Sequence, residues 1–202
     1  VFCLSFVSAV NVAYVHNGQV DNSALQELLN QDLDVEAIQC DDVASTDFSQ
    51  YDMIFVGEEW LSCAKDIPID KNPSVIMNGR NVVEMGLSKK MGVSTMSSST
   101  VIKTEDKTFK PYREIKRNSK SYLTIYSLLN YKEKEFTKVA EKFISPDLDS
   151  GAVIAEINAG KELLNGKITE ENICFFGLVA SKYWTENELE LFNECVEFAL
   201  TN

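Results

Sequence analysis

Residues 74–85 read SVIMNGRNVVEM, an apolar run that meets an Asn-Gly pair and passes into a helix-like stretch. A strand that turns sharply at such a point is the corner of α/β proteins, where one side chain is pushed out at the carboxyl end of the sheet. Three apolar runs precede it, at 10–15 (VNVAYV), 34–39 (DVEAIQ) and 51–56 (YDMIFV). The first ends in the turn His16-Asn17-Gly18, and the third is apolar enough to be buried on both faces. Between the first two, Asn22 or Ser23 is placed to cap a helix through Asn30, with Leu25, Leu28 and Leu29 on one face. Strands alternating with helices predict an α/β fold: a parallel, flavodoxin-like sheet with helices on both faces.

The pattern changes after the corner. Residues 92–131 are rich in Ser, Thr and Lys and carry short alternating stretches at 100–103 and 122–126. They predict antiparallel hairpins inserted into, or added to, the sheet edge. Residues 136–143 read as a helical turn or an irregular crossover, and 152–157 and 173–176 read as strands. Thr185-Glu186-Asn187-Glu188 is a capping box. Leu189, Phe192, Val196 and Ala199 follow it at helical spacing, so the last element is an amphipathic helix that packs on the sheet. With no repeat or linker, residues 10–202 are expected to form one domain. Residues 1–9 are almost wholly apolar, and Val7-Ser8-Ala9 has the small-x-small pattern of a signal-peptidase site, so this stretch reads as a signal-peptide remnant. An N-terminal strand over 2–15 is the alternative.

The net charge of -12 argues against a nucleic-acid partner, because duplex backbones repel an acidic surface. No segment has the ~20 apolar residues that span a bilayer. None of the five cysteines shows C-x-x-C spacing. In an exported chain Cys40 and Cys63, each following a predicted strand, are the pair to test first for a disulfide. Cys174, in a strand, and Cys195, on an apolar helix face, read as small buried hydrophobes. The compartment these features favour is the exterior or the cell surface, with the cytoplasm as the alternative.

The layout resembles the class I glutamine amidotransferase-like superfamily over most of residues 10–200. The likeness rests on Val56-Gly57-Glu58 after an early strand, on Met77-Asn78-Gly79-Arg80 at the nucleophile elbow, and on the segment from Cys174-Phe175-Phe176-Gly177-Leu178 through Tyr183-Trp184-Thr185-Glu186. The last of these is similar to the C-terminal end of ThuA-like domains and of amidotransferase-like modules in archaeal surface proteins. Active members of the superfamily place a Cys at the elbow and a His after a late strand, because a thiol needs an imidazole to take its proton. Here the elbow residue is Asn78, and Gly177-Leu178-Val179-Ala180-Ser181-Lys182 holds no His. The resemblance therefore implies a non-catalytic domain with a binding or structural role, an enzyme only if another chemistry has replaced the missing one.

Ligands in such folds bind outside the carboxyl ends of the parallel strands. That rule places His16, Asn17, Glu58, Glu59, Trp60, Asn78 and Arg80 near one rim as a candidate ligand pocket: Arg80 for an anion, Glu58 as acceptor or base, Trp60 as a stacking wall. The alternative function is a hydrolase or carbohydrate-acting ThuA-like enzyme using Glu58 and His16. His16 with Glu58 and Glu59 makes a weak metal set, since adjacent carboxylates diverge, and no metal or cofactor is expected. Ser97, Ser98 and Ser99 read as loop. The lysines and arginines of residues 103–120 form a basic strip that reads as a solvated hairpin face or a docking surface for an acidic partner. The expected partner is a small ligand or a cell-envelope component.

Overall fold

The computed structural model describes residues 10–18, 33–95, 100–112, 123–143 and 151–201. The helix expected over 22–30, the stretch 1–9, the serine run at 97–99 and the basic residues at 113–120 lie outside the described residues.

Contiguous apolar runs rich in β-branched and aromatic residues build the parallel core. Strands β1 (Val10–His16), β2 (Leu33–Gln39), β3 (Met53–Val56) and β4 (Ser74–Ile76) are followed, late in the chain, by β11 (Ile173–Phe176). All pair in parallel, in the spatial order β2-β1-β3-β4-β11. This is the doubly wound order in which the third strand lies beside the first. β3, β4 and β11 are buried throughout.

Beyond β11 the sheet turns antiparallel. β10 (Ala152–Ile157) pairs with β11, and β9 (Phe136–Phe143) pairs with β10 and with β6 (Val101–Lys103), which carries β7 (Thr108–Phe109). β5 (Lys90–Thr95) and β8 (Thr124–Leu129) form an antiparallel pair attached to β10 through β8. The antiparallel part therefore extends past the predicted insertion at 92–131. Residues 136–143 are a strand, not a helical turn or crossover. Register shifts along the β9–β10 pair break the period of two that would have revealed it.

The two faces of the parallel strands are covered differently. On one face Val12, Tyr14, Met53, Phe55, Val75, Cys174 and Phe176 meet the helix α1 (Glu186–Leu200), which contributes Leu191, Phe192, Cys195 and Ala199. Phe176, Trp184 and Phe192 form an aromatic triangle with ring centroids 5.0–5.6 Å apart. Burying each such side chain contributes about 1.5–3 kcal/mol. On the other face, 3-10 turns and loops supply Val43, Phe48, Leu61, Ile67, Val82, Met85 and Leu87. The described residues thus show one α-helix, on one face, and not helices on both. Residues 79–86 close as turns where the sequence suggested a helix: Asn81 N–H donates to the Asn78 carbonyl, and Gly86 ends the segment at φ +79°. Val82 and Val83 between two glycines disfavour a helical run.

Two disulfides cross-link the fold. Cys40–Cys63 ties the 3-10 turn after β2 to the loop after β3. Cys174–Cys195 staples β11 to α1, where the sequence suggested two unbonded buried thiols. Strand alternation turns Cys174 toward the helix, and Cys195 lies on the stripe that faces the sheet. Among the described residues no helix is long and apolar enough to cross a membrane.

Candidate functional site

The carboxyl ends of β1, β3, β4 and β11 bring together His16 and Asn17, the segment Gly57–Trp60, the segment from Met77 to Arg80, and the loop from Gly177 to Ser181. The predicted rim residues lie at these strand ends, and the side chains of Asn17, Glu58, Glu59 and Asn78 bond the protein's own main chain. Three asparagine side chains from two strand ends hold one loop. Asn17 Nδ2 donates to the Trp60 carbonyl at 2.7 Å, Asn78 Nδ2 to the Glu58 carbonyl at 2.6 Å, and Asn81 Nδ2 to the Glu59 carbonyl at 3.0 Å. The Asn81 Oδ1 accepts the Leu61 N–H at 2.9 Å. The Glu59 carboxylate accepts the Asn17 N–H at 3.1 Å. Trp60 is left facing outward, 49% exposed, and Arg80 is also exposed.

Asn78 occupies the elbow and is 2% exposed. Besides its bond to the Glu58 carbonyl, its Oδ1 accepts the Arg80 N–H at 2.7 Å, the local turn bond that asparagine makes readily. Both ends of the amide are committed. Strand β8 closes over this corner. A Cβ at Gly79 would fall 2.6 Å from the Tyr126 Cβ, and one at Gly177 would fall 2.1 Å from the Tyr126 carbonyl oxygen. The Tyr126 N–H donates to the Gly177 carbonyl. Only glycine permits the β8 backbone to lie this close.

Glu58 is the titratable centre of the rim. Its Oε1 accepts the Ser181 N–H at 2.9 Å. Ala180, just before Ser181, is left-handed at φ 69° and ψ 53°, and the successive N–H groups of Ala180 and Ser181 converge on the carboxylate. Burial nevertheless raises the Glu58 carboxyl above the usual carboxylate range, against the opposing pull of those N–H groups, the Ser181 hydroxyl and the Lys182 charge. Two phenols lie within its field. Tyr14 is fully buried, its hydroxyl has no hydrogen-bond partner among the described residues, and burial, then Glu58 and Glu59, raise its pKa. Tyr112 is raised in the same way by burial and then Glu58, with its hydroxyl donated to the Thr124 carbonyl at 3.3 Å. Tyr112 is also left-handed, at φ 69°. Such conformations in non-glycine residues cost about 1–3 kcal/mol each and persist where the surroundings fix them.

His16 is half-buried and stacked on Tyr14, with ring centroids 5.8 Å apart. Among the described residues no group of three or more His, Cys, Asp and Glu side chains is arranged to hold a metal ion. At the opposite, amino ends of β3, β4 and β11 lies a cleft of about 610 Å³ lined by Phe48, Tyr51, Pro68, Pro73, Glu170 and Glu171 among others, remote from every predicted rim residue. Of the described basic strip, Lys107 is ion-paired with Glu190 on α1, while Lys103 and Lys110 are exposed.

The sequence reading missed Tyr14, Tyr112, Tyr126, Asn81 and Ser181. Ser181 lies within the segment searched for a histidine, but the group it brings to the rim is chiefly a main-chain N–H, which residue type does not reveal.

The fold resembles that of class I glutamine amidotransferase-like proteins. The chain superposes on a candidate GMP synthase subunit from Thermoplasma acidophilum with a TM-score of 0.58 at 12% identity, over 95% of this chain and 94% of the other. It also aligns with PurLQS from Thermotoga maritima, at 10% identity and a TM-score of 0.47 over 95% and 97% of the two chains. A candidate ThuA-like protein from Parabacteroides merdae gives 10% identity and a TM-score of 0.47 over 95% and 90%. No protein-family model and no curated protein sequence matches the chain. At these identities the likeness concerns the fold alone.

Proposed function

We propose that this chain is a non-catalytic amidotransferase-like domain of an exported or cell-surface protein, with a binding or structural role. The observation that carries the reading is the state of the elbow. Asn78 has no nucleophilic atom, both ends of its amide are bonded to main chain, and Tyr126 packs directly on the adjoining glycine. Where a histidine would serve a thiol, the loop after β11 instead gives its N–H groups to Glu58. A general base needs a reacting proton within hydrogen-bond reach, and a carboxylate already held by main-chain donors is a structural anchor first. Two disulfides support an oxidising compartment, since such bonds persist outside the reducing cytosol.

The test is ammonia release from glutamine by the purified chain, with an Asn78→Cys variant beside it. Neither is expected to exceed the buffer control, because a thiol at 78 would still lack a base. Sustained ammonia release by the unaltered chain would overturn the reading.

A second reading, a hydrolase or carbohydrate-acting ThuA-like enzyme, is favoured by one observation: Glu58, a carboxyl raised by burial, lies in the field of the buried Tyr14 phenol, which has no hydrogen-bond partner among the described residues, and acids so perturbed cluster at functional sites. It requires that Glu58→Gln abolish turnover of glycosidic or ester substrates while the fold is retained. Equal turnover in that variant removes it.

A further inference from the structure

The two disulfides differ in what they hold and in how open they are to attack. Cys174 and Cys195 are 0% and 2% exposed and lie on the face that carries the Phe176, Trp184 and Phe192 triangle. Cys63 is buried, 8% exposed, but Cys40 is half-buried at the start of a surface 3-10 turn, next to the exposed Ser62, whose hydroxyl donates to the Cys40 Sγ, so Cys40 is the sulfur open to approach. Thiol–disulfide exchange needs a thiolate to approach one sulfur directly, so access separates the two bonds.

The strand next to Cys40 has few other ties. β2 is the outermost of the described parallel strands. Asp34, Glu36, Ala37 and Gln39 are exposed, and Ile38 alone in the strand is buried. Among the described residues, β2 is held besides its ladder to β1 by Ile38 in the core, by the partly buried Leu33 and Val35, by the hydrogen bond from the Tyr51 hydroxyl to Glu36 at 2.7 Å and, immediately after Gln39, by the covalent link to Cys63. Segments with few buried apolar contacts open locally at the lowest free energy. Here a cross-link sits on such a segment.

We infer that Cys40–Cys63 is a reductively addressable clasp, which an external dithiol opens while Cys174–Cys195 persists, and that β2 then leaves the sheet edge. The exchange balances. One thiolate of the dithiol attacks a sulfur of the clasp to form a mixed disulfide, and its second thiol resolves that bond. Two electrons and two protons pass to Cys40 and Cys63 as thiols, and the dithiol departs as a disulfide. The released state opens the outer main-chain groups of β1 to solvent and leaves the core joined through α1.

Graded reduction of the intact chain with dithiothreitol, trapped by alkylation and mapped by mass spectrometry, tests the first half. Cys40 and Cys63 are expected to alkylate at a reductant concentration at least about tenfold below that needed for Cys174 and Cys195. Hydrogen exchange on the half-reduced species tests the second half: amides of 33–39 exchange at least about tenfold faster, while 173–176 and 186–200 keep their protection. A Cys40→Ser, Cys63→Ser double variant should show the same exchange pattern without reductant. If that variant does not fold, the half-reduced wild type decides alone. Opening of both disulfides together, or unchanged protection of 33–39 once Cys40 and Cys63 are alkylated, overturns the inference.

Discussion

The Glu58 carboxylate accepts the Ser181 amide N–H at 2.9 Å, across 123 residues of sequence. One bond joins the loop after β3 to the loop after β11, over the end of β4 that carries Asn78. It places a partly buried acid at the centre of the rim and gives that acid a structural duty.

The first prediction follows from the sign of the Glu58 shift. Burial lifts its folded-state pKa above the unfolded value, so the folded chain binds the proton more tightly. Its contribution is fully present below the ordinary carboxylate pKa and is lost as pH rises through the folded value. Stability should therefore fall with rising pH just above that range. Glu58→Gln keeps an oxygen to accept the Ser181 N–H and removes the titration, so its stability profile by urea unfolding should be flatter from acid toward neutral pH. Glu156, raised by burial and then by Glu194, leaves a residual slope. Identical slopes in the two proteins would exclude this role for Glu58.

The Tyr14 hydroxyl is buried with no partner among the described residues. Tyr14→Phe removes an unsatisfied polar group and keeps the ring that packs on Phe55. The variant should be as stable as the parent or more stable, by up to about 1 kcal/mol, in urea unfolding. A loss of that size would mean that the hydroxyl has a partner in solution.

Asn81 is fully buried and bonds the Glu59 carbonyl and the Leu61 N–H. Asn81→Ala strands both groups and should cost about 2–4 kcal/mol. Since the loop it holds presents Trp60, acrylamide quenching of the exposed tryptophan should change as well. A loss of stability under about 1 kcal/mol would show that Asn17 and Asn78 suffice.

Glycine at 177 is required by a neighbouring backbone, which cannot swing aside as a side chain could. Gly177→Ala places a methyl 2.1 Å from the Tyr126 carbonyl oxygen and should cost upwards of about 3 kcal/mol, or prevent folding. Thermal melting within a few degrees of the parent would show that β8 can move off the corner.

Cys174→Ser with Cys195→Ser should lower stability by about 3 kcal/mol, the effect of a cross-link closing a loop of this length. The separation is 21 residues, and the bond joins the central sheet to its one described α-helix. Near-unchanged urea midpoints would show that the aromatic triangle alone seats α1.

Local signals revealed the elements they control. The β-branched and apolar runs that became β1, β3 and β4 were legible, and so was the helix start, because Thr185 and Glu188 interact over one turn. The Thr185 N–H donates to the Glu188 carboxylate at 2.6 Å. What the sequence did not display was the second use of that carboxylate, whose other oxygen accepts the Tyr112 N–H at 3.1 Å from the antiparallel part of the sheet. The rim shows the same division. Strand ends bring His16, Glu58 and Asn78 to one side by topology, which pattern can predict. Which groups Glu58 meets depends on the left-handed turn at Ala180, and an alanine gives no hint of such a turn. β9 was hidden by its bulged register, and the Cys174–Cys195 bond by the level at which α1 sits against β11, which only packing decides.

The order of the sheet also bears on how the chain is made. β11 lies between β4 and β10, so two strands that neighbour it in the finished fold are synthesised without their shared partner. Until residues 173–176 leave the ribosome, β4 keeps an unzipped side and the corner at Asn78 lacks the loop that braces Glu58. The nascent chain therefore carries a gap through its middle, and a single late strand of four residues closes it.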